Sequence, residues 1–160
     1  MAAIALLTMG CSSGLATGRS IQGDGPPVSG VLGFPHTKNG EIYRFSFPLL
    51  KNTSKSPLSV TSFRVKSIPP QVKVLGYSVF STQDTPGYLL SGRDSTYSKY
   101  HDYAKKPFTI KPGIESDYYA NIRVRIIGKV LTHLKDCDVH YTQNGHSYHQ
   151  VLHCEYALDS

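Results

Sequence analysis

The stretch DCDVHYTQNGHSYHQVLHCEY, residues 136–156, predicts a β-hairpin near the end of the chain. Asn144 and Gly145 are the pair that a two-residue type I′ turn prefers, because both turn positions need a positive φ. With that turn, Cys137 faces Leu152 across the hairpin. Side chains along each strand then alternate between two faces.

The two predicted faces differ in chemistry. The apolar face carries Cys137, Val139, Tyr141, Tyr148, Leu152 and Cys154. The polar face carries Asp136, Asp138, His140, His149, Val151 and His153. Because the cysteines and the histidines point in opposite directions, a mixed Cys/His metal site is not favoured.

A metal site that combines histidines with a carboxylate, without cysteine, is still compatible with the sequence. His140 and His149 face each other, and Cβ atoms in such a pair lie ~5 Å apart. Two imidazoles at that spacing could chelate Zn or Cu, with Asp138 as a third ligand. His153 lies ~13 Å along the strand from His149, which is too far to share the ion. The alternative is a solvated polar face.

Composition indicates one folded domain in a chain of 160 residues. Hydrophobic residues make up 39% and charged residues 18%, which is too apolar for a disordered chain. The formal charge of +6 is spread along the sequence, without the basic run of a nucleic-acid-binding tail. A mild positive field suits an anionic surface, such as lipid headgroups or an acidic envelope polymer, or simply keeps the domain soluble.

The first residues, MAAIALLTMGC, contain an apolar run that is too short to span a bilayer and about as long as a signal-peptide core. The end of this run, LLTMGC, resembles the lipobox of bacterial lipoproteins. The resemblance implies that residues 1–11 are a signal peptide with its lipobox cysteine. Cys11 would carry a lipid that includes palmitate, and this lipid would anchor the protein on the extracytoplasmic face of the cell membrane. A plain secretory leader is the alternative.

The next segment, SSGLATGRSIQGDGPPVSG at residues 12–30, is rich in Gly, Ser and Pro and shows no hydrophobic period. Such a composition is typical of a flexible tether. A tether here would hold a folded domain, residues 31–160, away from the membrane.

The chain has 3 cysteines, and an odd thiol in an exported protein needs a reason. If Cys11 carries lipid, Cys137 and Cys154 remain as a pair in an oxidising compartment that permits a disulfide. They lie on the same face but diagonally, and a diagonal separation can exceed the ~7 Å limit for a bridge. We therefore expect the hairpin to have either a longer loop or a β-bulge near His153, since either would bring the two cysteines within bridging distance.

The middle of the chain alternates with a period close to two. Inward positions in two such runs are Tyr43, Phe45, Phe47 and Leu49, and then Tyr118, Ala120, Ile122, Val124 and Ile126. In LSVTSFRVKSI the parity changes, which predicts a bulge near Thr61 and Ser62. About seven to eight short strands separated by turn signals predict an all-β antiparallel β-sandwich.

The turns NTSKSPLSV and IKPGIESDYYANIRV resemble those of immunoglobulin-like domains in bacterial envelope proteins. The resemblance implies an immunoglobulin-like sandwich. It concerns the fold and does not specify an activity.

A long polar segment, residues 81–106, interrupts the strand pattern. It carries a set of ring-bearing residues, namely Tyr88, Tyr97, Tyr100, His101 and Tyr103. Tyrosines supply rigid contact area, as binding loops use them, so this segment is a candidate recognition loop. The alternative is that the rings fold back and close one end of the sandwich.

The sequence has none of the common catalytic or nucleotide-binding motifs. We therefore expect a non-catalytic binding or interaction role at the cell envelope, with no cofactor. Expected partners are the membrane, through the lipid, and an envelope protein or polymer, rather than nucleic acid. The alternatives are an envelope protein that binds Zn or Cu through the hairpin histidines, and an enzyme of a kind that the motifs do not identify.

Overall fold

The computed structural model describes residues 15–159, which form twelve strands and two four-residue helices. The strands are β1 (Ala16–Thr17), β2 (Ile21–Asp24), β3 (Leu32–Phe34), β4 (Ile42–Ser46), β5 (Leu49–Asn52), β6 (Leu58–Ser67), β7 (Val72–Ser81), β8 (Ser91–Arg93), β9 (Phe108–Ile110), β10 (Tyr118–Ile126), β11 (Leu134–Gln143) and β12 (His146–Leu158). The helices are α1 (Pro26–Ser29) and α2 (Asp94–Tyr97). Within this range no helix has the length and apolarity needed to cross a bilayer.

Two sheets pack face to face. The large sheet has six strands, in the order β1-β12-β11-β6-β9 with β3 also paired to β12, and the small sheet has the order β7-β10-β4-β8. Strands β2 and β5 form a separate two-stranded ladder. The all-β sandwich predicted from the sequence is therefore confirmed, with several more short strands than expected.

Aromatic contacts join the two sheets. Phe45 of the small sheet and Tyr156 of the large sheet are fully buried, and their ring centroids lie 5.0 Å apart. The Tyr156 hydroxyl donates a 2.8 Å hydrogen bond to the Ser46 carbonyl oxygen on the facing strand. Burial raises the pKa of Tyr156, so this hydroxyl stays neutral and holds the sheets in register.

The period-two pattern places most core side chains as predicted. Leu49 is an exception: it is half-buried and Leu50 is buried instead, because β4 ends at Ser46 and a new strand begins after Pro48. In β10, Ile122, Val124 and Ile126 are buried, whereas the intervening Arg125 is exposed. The parity change in β6 is also a bulge, since the pairing with β11 shifts between His140 and Tyr141, opposite Thr61. Alternation along a pleated strand thus accounts for both the regular and the irregular stretches.

The hairpin of β11 and β12 has the predicted two-residue turn. Asn144 and Gly145 have φ values of 50° and 77°, the positive values that a type I′ turn requires. Cys137 pairs with Leu152, as expected from that turn. The register shifts by one between Lys135 and Cys137, so that β12 has an extra residue near His153. Of the two predicted solutions, the structure therefore uses the bulge and not the longer loop.

The bulge brings Cys137 and Cys154 together as a disulfide. Their Cα atoms lie 5.7 Å apart, and both residues are fully buried on the core side of the hairpin. This separation falls within the range that an unstrained bridge needs. The predicted pairing is confirmed.

Residues 15–30 are not a free tether. Strand β1 runs parallel to β12, strand β2 pairs with β5, and Ile21 is 3% exposed. Gly18 lies so close to Tyr141 that a Cβ there would meet its hydroxyl at 1.9 Å. The Gly-, Ser- and Pro-rich composition wrongly predicted a tether, because these short strands are held mainly by backbone pairing and by glycine's small size. The folded unit therefore begins before residue 31.

We expect the double substitution Cys137→Ala/Cys154→Ala to lower the free energy of unfolding by ~3 kcal/mol, since it removes a cross-link that constrains the unfolded chain. Urea unfolding measures this loss. Cys11→Ala is the control and should leave the free energy of unfolding unchanged. Two reactive thiols at Cys137 and Cys154 in the unreduced, unfolded protein would contradict the disulfide.

Candidate binding site

A groove opens along one edge of the sandwich, between β6 of the large sheet and β7 of the small sheet. Its cavity measures about 280 Å³. The lining consists of apolar and aromatic side chains, hydroxyls and one lysine: Val60, Thr61, Ser62, Phe63, Tyr77, Val79, Ala104, Lys106 and Phe108. We refer to this cavity and its lining as the edge groove.

The edge groove exists because β9 is short. Strand β9 pairs with residues 58–60 of β6. Pro107 directly precedes β9, and proline cannot donate a ladder hydrogen bond. The chain before it crosses to the other sheet, where the Tyr103 N–H donates a 2.8 Å bond to the Val79 carbonyl oxygen. In the described part of the chain, residues 61–67 therefore have a strand neighbour on the β11 side alone.

Aromatic rings form the floor of the edge groove. Phe63 stacks on Phe108 with centroids 6.1 Å apart, and it meets Phe47 edge-on at 5.3 Å. The Tyr77 hydroxyl, from the opposite side, accepts a 3.1 Å hydrogen bond from the Val65 N–H. Burial raises the pKa of Tyr77, so the groove presents a neutral hydroxyl among apolar rings.

The rim of the edge groove is cationic. Lys106 belongs to its lining and is exposed, as is the adjacent Lys105. The Asp102 carboxylate nearby accepts hydrogen bonds from the backbone N–H groups of Val79 and Ala104, both 2.9 Å. The site therefore offers an apolar slot with positive charge beside it, an arrangement that suits binding.

The five candidate residues of the predicted recognition loop differ in how deeply they are buried. Tyr97 is 1% exposed and packs with Phe80 and Tyr119, and the Tyr88 hydroxyl donates a 2.5 Å bond to the Phe47 carbonyl oxygen. Burial raises the pKa of Tyr97 to about 12. These two rings are part of the structure of the sandwich, so the prediction that they form a recognition surface is not supported.

The remaining three candidates lie at or near the surface. Tyr100 is half-buried against the same small aromatic cluster. His101 is exposed and meets Tyr103 edge-on at 4.5 Å. Tyr103 and Lys106 together line a second depression of about 270 Å³ beside the edge groove. His101 and Tyr103 are thus the loop residues that border the candidate site.

A polar cluster that the sequence did not predict holds the loop of residues 81–106 against the small sheet. Asp94, at the start of α2, binds Arg44 at 2.7 Å and Arg123 at 2.5 Å. Hydrogen bonding to Arg123, and then to Arg44, lowers the pKa of Asp94 against the effect of burial. Arg44 also lies over the Tyr97 ring at 5.6 Å. The outward position of Arg123 in the alternation of β10 is the one sequence feature that points to this cluster. Nothing in the sequence identifies Asp94 as its partner.

The predicted histidine pair is present on the outer face of the hairpin. His140 and His149 are direct cross-strand partners, with ring centroids 6.1 Å apart. Asp138 lies between them, fully buried, with its Oδ1 atom 3.1 Å from His149 Nδ1 and its Oδ2 atom 3.5 Å from His140 Nε2. The sequence therefore identified the right three residues as neighbours.

Their arrangement does not support the predicted metal site. Arg64 from β6 donates two hydrogen bonds to Asp138 Oδ2, at 3.0 Å from Nε and 2.9 Å from Nη2, so a guanidinium holds the place of the cation. Among residues 15–159, no group of three His, Cys, Asp or Glu side chains is arranged to hold a metal ion. Burial alone would raise the pKa of Asp138, but hydrogen bonds from Arg64 and His149 outweigh it and lower that pKa.

No family model and no curated protein sequence matches the chain. Among solved structures, it is similar to the Vibrio cholerae VesB protease, with 16% sequence identity and a TM-score of 0.41. The similarity covers 88% of this chain and 32% of that one, so the chain spans about a third of the length of that protein. So distant a likeness assigns neither a family nor an activity.

We expect Arg64→Met to lower the free energy of unfolding near pH 7 by about 2 kcal/mol, because it leaves a buried carboxylate without its cation. The value is below that for a fully buried pair because the Arg64 side chain is 58% exposed. Since the folded-state pKa of Asp138 is lowered, this stabilisation is present above its ordinary value of 3.8 and is lost as the pH falls below it. Urea unfolding as a function of pH measures the effect.

The control for this prediction is Arg64→Met in an Asp138→Asn background, where the substitution should cost little. His140 and His149 also face the carboxylate and are kept in all variants. A cost of Arg64→Met that stays constant from neutral pH to about pH 3 would contradict the assigned pairing.

Proposed function

We propose that this chain is an exported lipoprotein, anchored to the cell membrane through Cys11, whose β-sandwich binds an envelope partner without catalysis. The observation that carries the binding role is the edge groove, which is apolar inside and cationic at its rim. Its lining of aromatic rings, hydroxyls and Lys106 suits recognition, since binding sites combine apolar surface with a few polar groups.

The disulfide supports the exported location. Bridges of this kind persist in oxidising compartments and are rare where thiols are kept reduced. Cys137 and Cys154 are both fully buried in the core, as expected of a structural bridge. Cys11 lies outside the described residues, so its lipidation stays a prediction from the lipobox resemblance.

The fold also constrains how an anchored domain would sit. Strand β1 begins at Ala16, so a lipid on Cys11 would be separated from the fold by a few residues, with a reach of at most ~18 Å. Strand β1 lies at the opposite end of the large sheet's strand order from β6 and β9. Anchoring at Cys11 would therefore hold the domain close to the bilayer and leave the edge groove on the far edge of the sheet.

The anchor is tested by metabolic labelling with a fatty-acid analogue in cells that express the full chain. We expect the protein to be labelled and to fractionate with membranes, and Cys11→Ala to abolish both because it removes the acceptor sulfur. The double variant Cys137→Ala/Cys154→Ala serves as the control and should still be labelled. Labelling that survives Cys11→Ala would contradict the proposal.

The binding role is tested by placing a photo-crosslinking residue at Ser62, at the outer rim of the edge groove, or at His146, on the exposed hairpin tip. We expect illumination of intact cells to give a discrete covalent adduct from position 62 and none from position 146, because the groove is the proposed contact. Mass spectrometry identifies the adduct. Equal adducts from both positions, or none from position 62, would remove the support for this site.

A further inference from the structure

Strand β6 presents an unpaired edge at the edge groove. The Val65 N–H points away from β11, because it donates to the Tyr77 hydroxyl across the groove. Main-chain groups of alternate residues point the same way in an antiparallel ladder, so those of Phe63 and Ser67 also face outward. Within residues 15–159, no strand lies beside residues 61–67 on this side.

The free edge is a slot of strand dimensions. Strand β9 occupies the same side of β6 over residues 58–60, and then Pro107 ends the pairing. The seven residues from 61 to 67 would span ~23 Å, which is enough for one further strand in line with β9. The Tyr77 hydroxyl accepts the hydrogen bond from the Val65 N–H that a carbonyl oxygen of such a strand would otherwise accept.

The two faces of the slot differ, which sets the chemistry of an added strand. Val65 and Phe63 point inward, and the cavity between Phe63, Tyr77 and Phe108 would receive apolar side chains. Arg64 and Lys66 alternate to the outer face, where both are exposed. The Arg64 guanidinium is engaged by Asp138 on the β11 side, so Lys66 supplies the positive charge beside the slot. A carboxylate opposite Lys66 would be favoured as a cross-strand pair.

The same charges disfavour self-association. Two copies paired through β6 would bring Arg64 and Lys66 of one protomer against the cations of the other. Like charges directly opposite are destabilising, and lysine on an edge strand is a known guard against such pairing. Charge complementarity therefore favours a heterologous acidic segment over a second copy of this chain.

We propose that β6 binds an extended, acidic peptide segment by strand addition, with alternating apolar side chains entering the edge groove and a carboxylate beside Lys66. The inference rests on the proposed binding role and specifies the class of partner. Main-chain hydrogen bonds to residues 61–67 supply affinity, and the groove and the cations supply selectivity. Lys106 at the rim adds a further positive charge.

The test uses the disulfide-bonded chain and a fluorescent synthetic peptide of about nine residues that alternates valine and glutamate. Fluorescence anisotropy should show saturable binding, and the matched peptide that alternates valine and lysine should not bind. Lys66→Glu/Lys106→Glu should raise the Kd at least about tenfold, as expected for the loss of two opposite-charge contacts. Lys51→Glu/Lys55→Glu, which reverses two exposed charges before the other end of β6, is the matched control and should bind normally.

Strand addition has a second readout in backbone amide exchange. The peptide should slow hydrogen exchange at Phe63 and Ser67, whose N–H groups face the slot, and not at Arg64, which already pairs with Asp138 in the ladder to β11. Sedimentation of the free chain should show a monomer at the concentrations used. Binding without a change in exchange at β6, equal binding of the two peptides, or a dimer lost in Lys66→Glu would each overturn the proposal.

These outcomes separate the inference from the proposed function. If the adduct at position 62 forms in cells but the acidic peptide does not bind, the groove is a binding site for another class of partner, and strand addition is wrong. If the peptide binds but the chain is not labelled at Cys11, the membrane anchor is wrong and the slot stands.

Discussion

The register of β11 against β12 is the constraint on which the large sheet depends. Asn144 and Gly145 adopt the positive φ values that close the hairpin in two residues, and this fixes which side chains share a face. A one-residue slip would expose Val139 and bury His140, so the turn decides the content of the core. The bulge near His153 then adds one residue to β12, so that Cys154 comes close to Cys137 on the core side that both residues share.

The same register creates a buried charge on the outer face. Asp138 lies between His140 and His149, and without a cation its ionised carboxylate would be costly to bury. Arg64, brought beside it by β6, offsets that cost with two hydrogen bonds. The network joins three adjacent strands and explains why a group resembling a metal site in sequence serves as a structural one.

The edge groove follows from how the sandwich ends. Pro107 stops β9 after three paired residues, and the preceding loop crosses to β7 instead of covering β6. The aromatic rings below, including Phe63 and Phe108, remain part of the core while reaching the surface. A free strand edge, an apolar floor and a cationic rim thus occur together, and the proposed binding role would use all three.

The sequence by itself determined the features that depend on neighbours along the chain. The turn at Asn144, the alternation of β10 and the bulge at Thr61 are encoded by local φ preferences and by side-chain period. Cysteine number and parity, with Cys11 set aside by the lipobox resemblance, also predicted the pair Cys137 and Cys154.

Tertiary structure alone decided the features that join distant segments. Residues 15–30 read as a tether because their pairing with β12 and β5 uses backbone groups, which composition does not reveal. Tyr97 is core because Arg44 and Asp94 fold its loop back onto the small sheet. Arg64 meets Asp138, and the slot beside β6 stays open, because of the order of strands in the sheets. A period of two specifies which face of a strand is buried, but it carries no information about which strand lies beside it.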